Sequence, residues 1–165
     1  MSFRDRDTII YLAGVTDSEG NIGIVRHKRK ERLTPAYEPR LQVGNTSKRL
    51  LDLFVATFGG KLTLEKRLTQ GGKEFYQWSI YGVSMVKALE AMLPYLIIKR
   101  EEAKLVIALQ QRIWKRSERI GDSKGVSQAE LEAREKLYQQ IRRLTGRTRQ
   151  LPLPIQKETQ QPQLF

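Results

Sequence analysis

The order of hydrophobic periodicities in this chain predicts an α+β fold, a four-stranded antiparallel sheet with helices packed on one face. Two observations carry the prediction. A helical segment, two alternating segments and an amphipathic helix follow one another up to residue 58, and the strand-strand-helix part of that order repeats between residues 61 and 92. In the alternating segments the apolar residues fall on one side only, the pattern of antiparallel strands with one wet face.

Taken in order, residues 1 to 8 are polar and charged and are expected to form a short arm. Tyr11 to Gly20, YLAGVTDSEG, follows, with Leu12, Ala13 and Val15 apolar and Asp17 and Glu19 just before the glycine. It reads as a short, mostly buried helix ending at Gly20, whose freedom at positive φ suits a helix terminus. From Asn21 the period becomes two. Asn21, Gly23, Val25, His27 and Arg29 face one way and Ile22 and Ile24 the other, in a strand running into the basic segment Arg26 to Arg32. Pro35 and Pro39 bracket an extended loop or hairpin end. A second strand through Arg40 to Val43 turns Leu41 and Val43 inward and Glu38, Arg40 and Gln42 outward. Thr46 or Ser47 caps a helix from about Lys48 to Phe58 with Leu50, Leu51, Leu53, Phe54 and Phe58 on its apolar side, and Gly59-Gly60 ends it.

In the second round, Lys61 to Glu65 alternates and Gln70 to Lys73 turns. Phe75 to Tyr81 returns with Tyr76, Trp78 and Ile80 on one face, and Val83 to Met92 forms a helix broken near Pro94. Tyr95 to Ile98 looks buried. Arg100 to Arg116 carries Ala103, Val106, Leu109 or Gln110, and Ile113 at helical spacing. After a loop at Gly121 to Gly125, Ser127 and Glu130 stand at capping-box spacing before a last helix, Gln128 to about Leu144, with Leu131, Leu137, Ile141 and Leu144 turned to the core. Residues 1–146 are expected to form one domain and the Pro- and Gln-rich residues 147–165 a tail.

The composition narrows the function. Thirty Lys and Arg against 18 Asp and Glu give a formal charge of +12, which favours a polyanionic partner. Absent cysteine excludes disulfides and thiolate zinc sites, and fits a reducing compartment or a hot environment. A single histidine excludes a histidine metal cluster. No run approaches the roughly 20 apolar residues of a membrane span, and no signal-peptide core opens the chain. The expected location is intracellular, in a prokaryotic cytoplasm or an organelle.

Two carboxylates at the C-terminal end of an apolar helix meet the negative end of its dipole, so a divalent cation would stabilise them. The alternative is that Asp17 hydrogen-bonds locally and Glu19 faces solvent. The stretch Leu12 to Gly20, LAGVTDSEG, resembles the LAGLIDADG motif of homing endonucleases, present here once. Glu19 stands where the family most often has Asp, and Thr16 where an aliphatic residue is usual; the Thr16 hydroxyl can bond back to its own helix.

The resemblance covers roughly residues 8 to 116 and implies the family's α-β-β-α-β-β-α order plus C-terminal helices, with the sheet forming half of a DNA-binding saddle. It implies a homodimer through the Leu12 to Gly20 helix, and divalent-metal-dependent double-strand cleavage of a long, near-palindromic DNA site, leaving 3' overhangs. Glu19 and the Ser18 carbonyl would bind the metal. Magnesium is expected, with manganese able to substitute and calcium binding without efficient cleavage. Lys99, Arg49 and Asn45 match the basic and water-ordering residues around the family's active site, and Asp17 matches a structural position. Base contacts are expected from the outward strand residues Gly23, Val25, His27, Arg29, Glu38, Arg40, Gln42, Lys61, Thr63, Glu65, Arg67, Gln77 and Ser79, and phosphate contacts from Lys28, Lys30 and Lys48. An RNA-binding maturase acting on intron RNA, a DNA-binding regulator without catalysis, and an unrelated α+β binding domain are the alternatives.

Overall fold

The computed structural model describes residues 3–27, 34–65, 71–120 and 126–147. Its elements are α1 (Phe3–Glu19), β1 (Gly20–His27), β2 (Ala36–Asn45), α2 (Lys48–Phe58), β3 (Lys61–Glu65), β4 (Phe75–Ile80), α3 (Gly82–Met92), α4 (Arg100–Ile120) and α5 (Gln128–Arg147). The strands form one fully antiparallel sheet in the order β1-β2-β4-β3, as the two hairpins in the sequence predict.

The expected N-terminal arm is helical instead. No Pro or Gly interrupts residues 3 to 13, and Asp5 in the first turn favours the positive end of the helix dipole. Ile9, Leu12, Ala13 and Thr16 form its buried stripe at helical spacing. Gly20 also departs from expectation, since it is not among the positive-φ glycines. It is required by close approach: a Cβ there would lie 2.5 Å from the Thr16 carbonyl oxygen. The chain turns directly from helix into strand against the helix's own last turn.

Strand β2 begins at Ala36 and contains Pro39, so the expected loop is the strand's first half. Pro39 pairs with Ile24 of β1, while the β2-β4 ladder stops at Leu41 opposite Ile80. A residue without an N–H is tolerated where the strand is paired on one side only. Tyr37, Pro39, Leu41 and Val43 are buried and Glu38, Arg40 and Gln42 lie on the other face. Ile22, Ile24, Trp78 and Ile80 complete the inner side. Over it pack Leu51 and Phe54 of α2, Met85 and Leu89 of α3, Ala103, Val106 and Leu109 of α4, and Ile141 of α5. Trp78 stacks against Phe54 with ring centroids 4.7 Å apart and donates its Nε1–H to the Gly59 carbonyl at 2.8 Å.

Ser47 caps α2, its hydroxyl accepting from the Leu50 N–H, and Gly59 and Gly60 end the helix at φ of 75° and 92°. At α5 half of the expected capping box forms. The Glu130 N–H donates to the Ser127 hydroxyl at 3.3 Å, but the Glu130 carboxylate accepts from Arg112 at 2.7 Å and Arg134 at 2.9 Å, because α4 offers a cation across the helix pair. The segment before α4 also differs from expectation: Leu96 is buried, whereas Ile97 and Ile98 are 83% and 56% exposed.

Candidate active site and nucleic-acid interface

Those exposed isoleucines are held by their backbone. Asp17, at the end of α1, accepts from the N–H groups of Ile97 (2.7 Å), Ile98 (3.2 Å) and Lys99 (3.0 Å). Lys99 immediately precedes α4, its carbonyl accepting from the Ala103 N–H. Its ammonium in turn donates to the carbonyls of Thr16 (3.0 Å) and Asp17 (2.6 Å), two of the groups that the last turn of α1 leaves without helical partners. An acidic cap on one helix start and a basic cap on the other helix end thus form a reciprocal clasp. Burial lowers the Lys99 pKa, and the charges of Asp17, Glu102 and Glu19 oppose that shift. The Thr16 hydroxyl bonds back to the Leu12 carbonyl at 2.8 Å and lies 3.5 Å from the Met92 sulfur, so its polarity is satisfied in the core.

The clasp commits Asp17 and leaves Glu19 exposed, with no hydrogen bond or ion pair to any described residue. Ser18 is exposed beside it, its hydroxyl donating to the Val15 carbonyl at 3.1 Å. The ammonium of Lys99 stops one carbonyl short of Ser18. The β1-β2 register places Val43 opposite Gly20, so Asn45, two residues on, comes to the same end of the sheet as Ser18 and Glu19. The Asn45 Oδ1 accepts from the Ser47 N–H at 2.8 Å, and Arg49 is exposed in the first turn of α2 that this bend begins. Among the described residues no group of three or more His, Cys, Asp or Glu side chains is placed to hold a metal ion.

The outer side of the sheet forms rows across the strands. Asn21, Gln42, Ser79 and Lys61 make one row; Gly44, Gln77 and Thr63 make another; Arg40 lies opposite Gly23, and Glu38 opposite Val25. Most sequence-predicted base-contact residues therefore share one face. Ser79 is in the right register but buried, flanked by Gln42 and Lys61. His27 and Glu38 engage each other at 3.0 Å. Lys48, expected at phosphate, is ion-paired to Asp52 at 2.8 Å one turn along α2. Lys28, Arg29, Lys30 and Arg67 lie outside the described residues. Asn21 and Phe75 were missed as candidates, although strand alternation alone puts both on the outer face, Phe75 opposite Glu65.

No protein-family model matches the chain. The DNA endonuclease I-CvuI of Chlorella vulgaris is 30% identical over 115 residues, 68% of this chain and 69% of that protein. A crystal structure of I-CvuI in complex with the I-CreI target matches with a TM-score of 0.66 at 26% identity, covering 87% of this chain and 85% of the other. The archaeal intron-encoded homing endonuclease I-Vdi141I, complexed with DNA, shares the fold, with a TM-score of 0.67 at 12% identity over 84% of each chain. With identity of that extent on the same succession of elements, and one acidic motif ending the first helix, the chain belongs to the LAGLIDADG homing endonuclease family.

Proposed function

We propose that this chain is a site-specific DNA endonuclease that acts as a homodimer and hydrolyses both strands of a long, near-palindromic site with a divalent metal, leaving 3' overhangs. The observation that carries this reading is the clasp. It ties Asp17 into the fold and leaves Glu19 as the uncommitted carboxylate at the motif's end. I-CvuI, its relative, is named a DNA endonuclease.

The donor chemistry fits a hard cation. The Glu19 carboxylate and the Ser18 carbonyl are oxygen donors of the kind magnesium and manganese accept, and calcium should bind them without efficient cleavage. Bound there, such an ion supplies water activation and charge compensation. Among the described residues one protomer brings a single uncommitted carboxylate to the end of α1, so the twofold axis of a dimer is needed to bring a second. The exposed face of α1 suits that axis: Ile10 and Tyr11 are 41% and 55% exposed, and nothing lies within 4 Å of a Cβ built on Gly14.

The chain's other residues do the remaining work. A lysine ammonium has three N–H groups, and Lys99 uses two of them on α1, so one remains for a water or a phosphate oxygen. Its charge also offsets the negative charge that builds at the phosphate. The exposed Arg49 guanidinium gives bidentate donors to the backbone. Asn45, its oxygen taken by Ser47, keeps its amide N–H groups for ordered water. The outer sheet face supplies base contacts, and helix α1 the dimer contact.

The test is to incubate wild-type protein and Glu19→Gln with a randomised duplex library in magnesium and in calcium, sequencing every new end. Paired recurrent ends at one long motif, in magnesium only and absent from the mutant, are expected. A motif that is enriched by binding yet never cut in magnesium or manganese would overturn the catalytic assignment.

A further inference from the structure

Phe75 is the one Phe, Tyr or Trp in outward register on the described strands, and the sheet is built to receive it. It heads β4 opposite Glu65, with Gln77 next on the same face. Gln77 pairs with Gly44 of β2, and a Cβ on Gly44 would lie 2.5 Å from the Phe75 Cζ and 2.9 Å from its Cε1. The ring therefore lies across the backbone of β2, in space that only glycine leaves open. Gly44 has no positive φ to explain its identity, so the close approach of the ring is what explains it. Phe75 is only partly buried, which leaves part of the ring exposed on the face that also carries Gln77, Thr63 and Glu65.

We infer that Phe75, seated on Gly44, is a specificity-determining residue that recognises the 5-methyl group of one thymine in each half-site. The inference rests on the reading of this face as the DNA interface. A phenyl ring offers no hydrogen bond, so on a face that it shares with Gln77, Thr63 and Glu65 it discriminates by apolar contact. The thymine methyl is the apolar group that the major groove presents. The neighbouring row divides the work differently: Asn21, Gln42 and Lys61 hydrogen-bond, and Gln42 is suited to adenine.

The experiment selects bound duplexes from a randomised library with wild-type protein, Phe75→Ala and Gly44→Ala, in calcium so that binding is read without cleavage. Thermal melts confirm that each variant is folded. Wild-type protein should enrich thymine at one position per half-site, and uracil there should weaken binding about threefold to fivefold per half-site, the worth of one buried methyl. Phe75→Ala should lose the thymine preference at that position alone and bind thymine and uracil equally. Gly44→Ala, which displaces the ring without removing it, should reduce the same preference. If wild-type protein enriches a motif in which no thymine responds to these variants, the inference falls and the DNA-binding reading stands. If wild-type protein enriches no motif, both fall.

Discussion

Asp17 and Glu19 are two residues apart in sequence, yet the fold gives them opposite tasks. Asp17 receives three backbone N–H groups from a segment 80 to 82 residues away, and Glu19 receives none. Replacing Asp17 by Ala should cost about 1–3 kcal/mol in urea unfolding, since three donors lose a charged acceptor. It should also slow cleavage, because the same change releases the segment that positions Lys99. Glu19→Gln should leave unfolding within ~0.5 kcal/mol of wild type while abolishing cleavage, as expected for an exposed group with no structural partner. Equal losses of stability in the two mutants would contradict this division. The motif's acidic end was legible in the sequence, and the resemblance assigned the two roles, but spacing alone left open a local bond for Asp17. Its partners come from the far end of the chain, and no local pattern encodes them. Gly20 was legible as a necessary glycine for the wrong reason, because a close approach and a positive φ leave the same residue in the sequence.

At the scale of elements, the last helix is fastened to the sheet by a polar contact as well as by Ile141. Tyr37 of β2 donates its hydroxyl to Glu135 of α5, Arg26 of β1 approaches the same carboxylate at 3.4 Å, and the Tyr37 and Tyr138 rings are 6.0 Å apart. Burial, followed by the bond to Glu135, raises the Tyr37 pKa from 10.0 to about 12. A raised folded-state value means that this group's contribution is complete below pH 10.0 and is lost as the pH rises towards about 12. Urea unfolding followed across that window should show a steeper loss of stability for wild type than for Tyr37→Phe. Parallel curves would mean that the hydroxyl titrates alike in both states. The Glu135 pKa is lowered, first by the Tyr37 hydroxyl, so its share is present above the ordinary carboxylate value and disappears on acidification. Strand alternation made Tyr37 readable as inward-facing in principle, but Pro35 and Pro39 suggested a loop. Proline's cost depends on whether a neighbouring strand needs its N–H, and that is a property of the sheet. Helices α2 to α5 were legible because their apolar stripes recur every three to four residues, whereas the charged first half of α1 was not; Ile97 and Ile98 were misread because apolar character alone does not reveal a segment whose backbone is the part being held.

For the whole molecule, the proposed function makes the outer sheet face, the basic charge and the end of α1 half of a device. The inner side of the sheet is covered by helices, the outer side presents rows of polar residues, and α1 presents Ile10, Tyr11 and Gly14 to solvent. Gly14 separates protomer from dimer by the sign of a mutation. Within one protomer, Gly14 is exposed and a Cβ there meets nothing within 4 Å, and Gly14→Leu replaces the poorest helix former short of proline, so it should stabilise the fold by up to about 1 kcal/mol. Across a close helix pair the same side chain would hold the two copies apart. Sedimentation should then show wild-type protein as a dimer and Gly14→Leu as a monomer. The concentration dependence of the wild-type melting temperature should vanish in the mutant, because mass action no longer links folding to association. The monomer should keep its basic sheet, yet lose one of the two copies of Glu19 and half of the phosphate contacts. Double-strand cleavage should therefore disappear, and the dependence of log affinity on log salt should fall to about half its wild-type slope. A Gly14→Leu protein that remains dimeric and cuts both strands would place the interface elsewhere on the molecule.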